Sequence, residues 1–516
     1  MNFKGLFIFI TSILFTSLAH SQSIKLDSSF NNTGKILYEE FPYGMPTQPI
    51  LYPNGDLIFY GTIENSNAIT VQKIDKYGVY IDDFGINGKV NIHDNLTETY
   101  VGAMSLQSNN KILISGSYYN EMDEECLFIT RLLPNGDKDI SFGDGGTRAI
   151  EKLDTSLEIT SLAVLPDNDI ILGGILEKNG SFTAVLFKLD SEGNIDPSFD
   201  HDGMLVPHFA EFDAISSIKI ADDKFVVSGS AGEFYPDFLV ARFNFDGTVD
   251  KSFNGTGFNI INFAQESASE AFNFAIDSKN RIVLTGYYID SDFTDIATVR
   301  INSNGLLDES FGNEGKLISK IGHGGGYARN VKALDDNSII IFGQSAPNEA
   351  IYKLTLIHID ENGKLVSDFG EEGLFFIDMP YEYQEPIFIE RNGNEIYLGG
   401  IGDNNDNEPG ATFIAKLLLT ETAANKILNA PNFGANLYPS VAKTSIEFSY
   451  FLSKPCPCKL QIFDMNGNYC QNVLDLKNVD PGIYNKDINI SNLNAGIYFV
   501  KMVTSFGSRS FKFTKI

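Results

Sequence analysis

Ala297-Thr298-Val299-Arg300-Ile301-Asn302-Ser303-Asn304-Gly305-Leu306-Leu307-Asp308, continued to Phe311 and Gly315, contains a turn that the chain uses again and again. The pattern Asp-x-x-Phe-x-x-x-Gly stands at Asp27/Phe30/Gly34, Asp139/Phe142/Gly146, Asp196/Phe199/Gly203, Asp250/Phe253/Gly257 and Asp308/Phe311/Gly315. Two further copies keep Phe84/Gly88 and Phe369/Gly373 but carry Ile81 and Val366 in place of the Asp. Successive phenylalanines lie 54 to 58 residues apart. A fixed period of this length marks a repeat architecture, in which one supersecondary unit buries its apolar face only against its neighbours.

Each unit also has an apolar strand that ends in Gly, at Gly61, Gly116, Gly174, Gly229, Gly286, Gly343 and Gly400. A basic column follows at Lys73, Arg131, Lys188, Arg242, Arg300, His358 and Lys416. Period-two alternation supports four strands per unit; in the fourth they are expected at Met204 to Phe209, Ala214 to Ile220, Phe225 to Ser230 and Asp237 to Phe245. The chain is therefore expected to be all-β: a seven-bladed β-propeller followed by a small antiparallel β-sandwich. The array starts with a turn, Leu26 to Gly34, and its last unit, about Leu374 to Leu419, ends without one. The N-terminal turn supplies what the last blade lacks, which favours a closed ring over an open β-solenoid needing polar caps.

The repeated columns read as architecture, because a binding site would be confined to a few blades. Phe at each turn is expected to anchor one blade on the next. The Gly column implies either a positive φ or close strand packing. The Asp and basic columns are expected to form one ion pair per blade junction.

These residues resemble the delta-60 repeat, a bacterial β-propeller repeat of unknown function. The resemblance rests on Asp-x-x-Phe-Gly-x-x-Gly, on a segment such as Leu51-Tyr52-Pro53-Asn54-Gly55-Asp56-Leu57-Ile58-Phe59-Tyr60-Gly61, and on the stretch quoted first; it covers Ile24 to about Leu419. It implies a fold and an exported setting, and brings no catalytic residues.

After Thr420 the repeat stops. Residues 421–436, rich in Ala and Asn, read as a linker, and strands are expected at Lys443 to Leu452, Lys459 to Phe463, Tyr469 to Leu474, Asn485 to Ile490, Gly496 to Val503 and Ser508 to Thr514. Leu437-Tyr438-Pro439, Ile462-Phe463-Asp464-Met465-Asn466-Gly467, Leu493-Asn494-Ala495-Gly496-Ile497-Tyr498 and the terminal Phe511-Lys512-Phe513-Thr514-Lys515-Ile516 resemble the type A sorting domain of the type IX secretion system. Ser440-Val441 departs from the Asn-Pro usual after the opening Pro. By resemblance, residues 437–516 are recognised by the secretion machinery, which often removes such a domain and releases the cargo or attaches it to the surface.

The opposite end reads as a signal peptide over residues 1–21: Lys4, an apolar run from Leu6 to Leu18, and small residues Ala19 and Ser21 before Gln22. Residues 22–420 then form the propeller, and no membrane span is expected in the mature chain. The expected location is the medium or the outer cell surface, reached through the periplasm.

A net charge of −29 spread along the chain repels nucleic acid and anionic lipid. In an oxidising compartment Cys456 or Cys458 is expected to pair with Cys470, and Cys126 to be a buried apolar residue. His323-Gly324-Gly325-Gly326 has the form of an esterase oxyanion loop, but no Gly-x-Ser-x-Gly elbow accompanies it and it reads as a turn. Asp403-Asn404-Asn405-Asp406-Asn407-Glu408 spaces oxygen ligands as a calcium loop does, yet lacks the loop Gly and ends with Ile414 at position twelve. Asp200-His201-Asp202-Gly203 is too short for a site, and both stretches read as solvated turns.

No residue is thus assigned a catalytic, ligand-binding or metal role, and no cofactor is expected; calcium has no supporting site. The expected function is a surface propeller, not an enzyme, that binds a protein or glycan or serves as a scaffold. The competing readings are a secreted glycosidase or lyase with its site at the channel mouth, and a purely structural surface component. Tyr118-Tyr119, Tyr287-Tyr288 and Tyr381/Tyr383 are the aromatic candidates for a sugar platform in a chain without Trp.

Overall fold

The computed structural model describes residues 22–39, 49–62, 69–92, 97–119, 125–150, 156–178, 180–265, 267–289, 293–322, 325–348, 351–403, 410–421, 433–438, 441–452, 454–465, 467–480 and 482–516. The signal-peptide reading falls outside them. The chain divides into two compact units, Met1–Thr420 and Glu421–Ile516, and every regular element among the described residues is a strand.

Among the described residues the first unit holds seven antiparallel sheets. The fifth is representative: Ala268–Ile276, Ile282–Ile289, Thr294–Ile301 and Lys316–Ser319 pair in that order. The two middle strands are buried on both faces, hence their continuous Ile/Val/Leu/Ala character. The first strand of each sheet meets the first strands of its neighbours at the centre of the ring. There Asn273 Nδ2 donates to Asn330 Oδ1 at 2.6 Å, and Asn330 Nδ2 to the Ile387 carbonyl at 2.7 Å.

The strand content matches the sequence expectation, but its phase does not. Met204–Leu205 pairs with Ser181–Leu189 and so closes the third sheet. The fourth sheet is Phe212–Ala221, Lys224–Gly232, Asp237–Asn244 and Phe258–Ile261. A turn whose Phe follows the third strand hands the chain back to the same sheet's outer edge, so each sequence unit straddles two sheets. Leu374–Ile377 likewise belongs to the sixth sheet.

Closure follows the same rule. Lys35–Tyr38 pairs with Ala411–Glu421 from Lys35 opposite Ala415 to Tyr38 opposite Thr412, and Gln22–Leu26 joins the same sheet. Phe30, Phe59, Phe388, Tyr397 and Ile414 form one core between the last sheet and the first. The N-terminal segment thus completes the last sheet, as a closed ring requires.

Each column now has a physical cause. The turn phenylalanines are fully or nearly fully buried, and Phe142 lies so close to Gly193 of the next sheet's turn that a Cβ there would stand 2.4 Å from the ring. Removing such a ring costs ~3–5 kcal/mol. Arg131 Nε donates to Asp139 Oδ2 at 2.7 Å while its Nη1 reaches the Ser191 carbonyl of the following sheet at 2.7 Å. Lys188–Asp196, Arg242–Asp250, Arg300–Asp308 and Lys416–Asp27 repeat the pair at 2.8 to 3.2 Å. Where Asp is missing, the partner changes: Lys73 turns to Asp56 at 3.8 Å, and the His358 ring shares a hydrogen bond with Ser338 at 2.9 Å.

The Gly column is a matter of close packing. Gly116, Gly174, Gly229, Gly286, Gly343 and Gly400 all have ordinary φ. A Cβ on each would lie 1.7 to 2.4 Å from a carbonyl oxygen of the facing first strand. That carbonyl is pushed forward by a β-bulge just beyond it, at Gly102, Thr160, Ser216, Phe272, Arg329 and Ile387 in turn.

In the second unit Phe433–Tyr438, Ser445–Leu452 and Gly482–Asn489 form one sheet. Val441–Ala442, Gly507–Lys515, Gly496–Thr504, Cys456–Asp464 and Tyr469–Val479 form the other. Phe448 and Ile488 of the first share a core with Leu460, Val500 and Phe513 of the second. The linker reading is corrected at its end, because Phe433–Tyr438 is a paired strand.

The disulfide expectation is also corrected: Cys456, Cys458 and Cys470 are free thiols. Cys458 stands opposite Leu476 and Cys456 opposite Val479, whereas Cys470 is at the other end of Tyr469–Val479. Six residues of strand separate it from Leu476 by roughly 20 Å, and a disulfide needs Cα atoms within about 7 Å. Cys126 is buried as expected.

Candidate functional site

The bulged position of the first strand breaks the repeat. It carries Gly102, Thr160, Ser216, Phe272, Arg329 and Ile387, a different residue in each sheet where the bulge is described. Two residues earlier stand Tyr100, Glu158, Ala214, Glu270, Tyr327 and Glu385. Architecture demands the bulge but not its side chain, so these positions are free to specialise. The columns read from the sequence recur in every unit; the asymmetry is here, at one mouth of the ring.

In the fifth, sixth and seventh sheets these positions gather around a cavity of about 260 Å³, lined by Phe272, Tyr287, Tyr327, Arg329 and Glu385 with Ile289 and Thr294 at its edge. The Arg329 guanidinium lies over the Phe272 ring, 4.6 Å from its centroid, and its Nη2 donates to Glu385 Oε1 at 3.1 Å. Arg329 Nε is buried and meets no acceptor among the described residues. Phe272 packs against Tyr287 at 5.6 Å and edge-on to Tyr327 at 6.2 Å between ring centroids. Ser230 Oγ donates to Glu270 Oε1 at 3.3 Å.

Burial raises the Tyr287 phenol well above its ordinary range, and the adjacent Glu270 carboxylate raises it further. Burial, then Glu385 and Tyr383, do the same to Tyr327. Both phenols stay protonated and serve as hydrogen-bond donors beside carboxylates.

The antiparallel order puts the start of every first and third strand on this same face. Exposed aromatics follow: Phe182, Phe234, Tyr235, Phe293, Tyr352 and Tyr383, spread over the third to the seventh sheets. Of the sequence candidates, Tyr287 and Tyr383 belong to this face, whereas Tyr288 is in the core. Tyr118, in the second sheet, packs obliquely on Phe128 of the same sheet. Tyr381 covers Gly402, where a Cβ would come within 2.1 Å of its ring. His323 and Gly324, and Asn404 to Glu408 of the calcium-like stretch, lie outside the described residues. Asp200 and His201 form an exposed turn with positive φ. Among the described residues no group of three His, Cys, Asp or Glu is placed to hold a metal ion.

Comparison with known proteins finds matches in two separate parts of the chain. Residues 436–515 match the family described as secretion system C-terminal sorting domain. Residues 107–142, 165–199, 221–253 and 280–311 match the domain of unknown function (DUF5122) beta-propeller. The chain is a β-propeller with a type IX sorting tail. Such a tail makes this propeller an exported protein, secreted or held at the cell surface, and its partner is the secretion machinery. No helix among the described residues is long and apolar enough to cross a membrane. Each DUF5122 match ends on the turn Phe, so the matches cover the second and third strands with the turn and leave out the bulged column of the first strands.

No curated protein sequence matches the propeller. Among solved structures it resembles a polysaccharide lyase at 10% identity, TM-score 0.45, covering 74% of this chain and 92% of that one. It also resembles an ulvan lyase at 10%, TM-score 0.32, covering 69% and 94%. A third is the arabinanase of Bacillus subtilis, at 12%, TM-score 0.28, covering 51% and 95%. The expectation that the chain is not an enzyme is corrected by these likenesses. A propeller fold by itself confers neither catalysis nor its absence.

Proposed function

We propose that this exported propeller takes an extracellular glycan across its mouth face, with one sugar unit seated between Phe272, Tyr287 and Tyr327 and flanking units on the exposed aromatics. The observation that carries this reading is the specialised column: three rings, a half-satisfied Arg329 and two carboxylates converge where the other columns repeat. Aromatic faces pack on sugar C–H surfaces, and protonated phenols, Arg and Glu match hydroxyl donors and acceptors. A cavity of about 260 Å³ suits one monosaccharide unit better than a whole oligomer.

The protonated phenols beside Glu270 and Glu385 favour a second reading, cleavage of the same glycan, since a donor next to a carboxylate is an acid–base set. One experiment separates the two. The 22–421 propeller is applied to a glycan array, and each hit is followed by calorimetry and by release of reducing ends or of absorbance from an unsaturated product. Saturable binding that falls at least about tenfold (~1.4 kcal/mol) in Tyr327→Ala supports the binding site. Product that disappears in the same variant supports cleavage. Silence on the array, or hits indifferent to Tyr327→Ala and Arg329→Met, overturns the site and points to a protein partner.

A further inference from the structure

Deeper in the ring, three residues beyond each bulge, the first strands again differ. The fourth, sixth and seventh sheets place Lys219, Lys332 and Glu390 at this level; the second, third and fifth place Ser105, Ala163 and Ala275. Lys332 Nζ is held by Glu390, 2.9 Å from Oε1 and 2.8 Å from Oε2. Lys219 Nζ donates to the Phe274 carbonyl and lies 5.0 Å from the centroid of the Phe274 ring. No carboxylate pairs with Lys219 among the described residues.

Burial pulls the Lys219 ammonium down to about 7; the charge of Lys332 acts in the same direction, and Glu390 opposes it. Lys332 and Glu390 are the charged groups that face it. The neighbouring strands offer neutral groups here: Ala163 on Ser156–Val164, Ala275 on Ala268–Ile276, and Val226 opposite Lys219 on Lys224–Gly232. Glu390 is thus taken up by Lys332, while Lys219, at the same level of the ring, holds only the Phe274 carbonyl. With Lys219 protonated, the cluster keeps one uncompensated positive charge, beside the small side chains of Ala163 and Ala275.

We propose that the Lys219–Lys332–Glu390 cluster is a binding site for a small oxyanion, a carboxylate or a phosphate, whose negative charge completes the ion-pair set. The site is at a different level from the glycan mouth and does not depend on it. Anion binding stabilises the protonated lysine, so binding takes up a proton near neutrality and weakens as pH rises through about 7.

The test is calorimetric titration of the full chain with inorganic phosphate and, separately, with acetate, at pH 6 and pH 8 and in buffers of different ionisation heat. Expected are saturable binding of at least one anion at pH 6, about tenfold weaker binding at pH 8, and net proton uptake. Lys219→Met should lower affinity at least about tenfold and flatten the pH dependence, and Glu390→Gln, which removes the competing carboxylate, should tighten binding severalfold. Absence of saturable binding by the wild-type chain, or unchanged affinity in Glu390→Gln, overturns the proposal even if Lys219→Met fails to fold. Preference between phosphate and acetate identifies the anion.

Discussion

Gly286 faces the carbonyl oxygen of Glu270 so closely that a Cβ would lie 1.7 Å from it. The contact exists because the bulge at Phe272 pushes this carbonyl toward the second strand, and the same bulge aims the mouth residues. The repeat glycine and the specialised site are thus two sides of one distortion. Gly286→Ala is expected to cost on the order of 3–4 kcal/mol in urea denaturation, since backbone rather than a flexible side chain must move. Gly145→Ala, with nothing within 4 Å but φ +59, is the control for conformational strain alone and should cost about 1 kcal/mol.

The junction pairs differ from surface ion pairs in burial. Arg300 and Asp308 are 2% and 11% exposed, whereas Lys459 and Asp475 are 42% and 56% exposed. Asp308→Asn leaves the Arg300 guanidinium without its charge partner and should destabilise by roughly 3–5 kcal/mol. Asp475→Asn should change stability by under about 1 kcal/mol. Equal losses in thermal melts of the two variants would falsify the view that the repeated Asp column holds adjacent sheets together.

Acid should loosen the same junctions. Hydrogen bonds from Lys188, then Ser198, hold the Asp196 carboxyl at about 2, below the ordinary 3.8. A carboxyl lowered in the folded state adds stability that is complete above the unfolded value and lost as pH falls through the folded one. The Asp196 contribution is thus expected to disappear between about pH 4 and pH 2. Measured by denaturant titration at successive pH values, wild type should exceed Asp196→Asn by up to about 2 kcal/mol at pH 6 and converge with it near pH 2. A constant gap across that range contradicts the assignment.

The cysteines give a chemical check on the second unit. Burial, with Cys456 adding to it, pushes the Cys458 thiol up to about 11, so it is both covered and protonated at neutral pH. Treatment of the native protein with a thiol reagent should label Cys470 alone of the three in this unit, and unfolding should reveal the other two. Recovery of a Cys470 disulfide by mass spectrometry of non-reduced peptides would contradict the strand register.

Fold and site were legible to different degrees. The Phe turn, the Gly strand and the basic column were readable because a ring of like sheets makes the same local demand at each junction, and Asp139, Phe142 and Arg131 meet it as Asp308, Phe311 and Arg300 do. The phase of the sheets was not readable, because the link from Phe199 to Met204 looks alike whether it begins a new sheet or ends the old one. The disulfide reading failed because nearness in sequence says nothing of which end of a long strand faces Cys458.

The mouth was hidden for a further reason. Period-two patterning assumes an unbroken strand, and a bulge of one residue moves Phe272 and Arg329 out of that count. Aligning the units on the Gly column and reading back along the first strand would have exposed the unlike positions, but only the packed sheets show why that column is Gly.

From sequence alone came a closed repeat of strands, its junction chemistry and a sorting tail, because these depend on residue type at fixed spacing. Tertiary structure decided which side chains share a space: Arg329 with Glu385 and Phe272, and Lys219 with Lys332 and Glu390. These partners sit some 56 residues or more apart, on strands joined by no common ladder, and only closure of the ring brings them within reach.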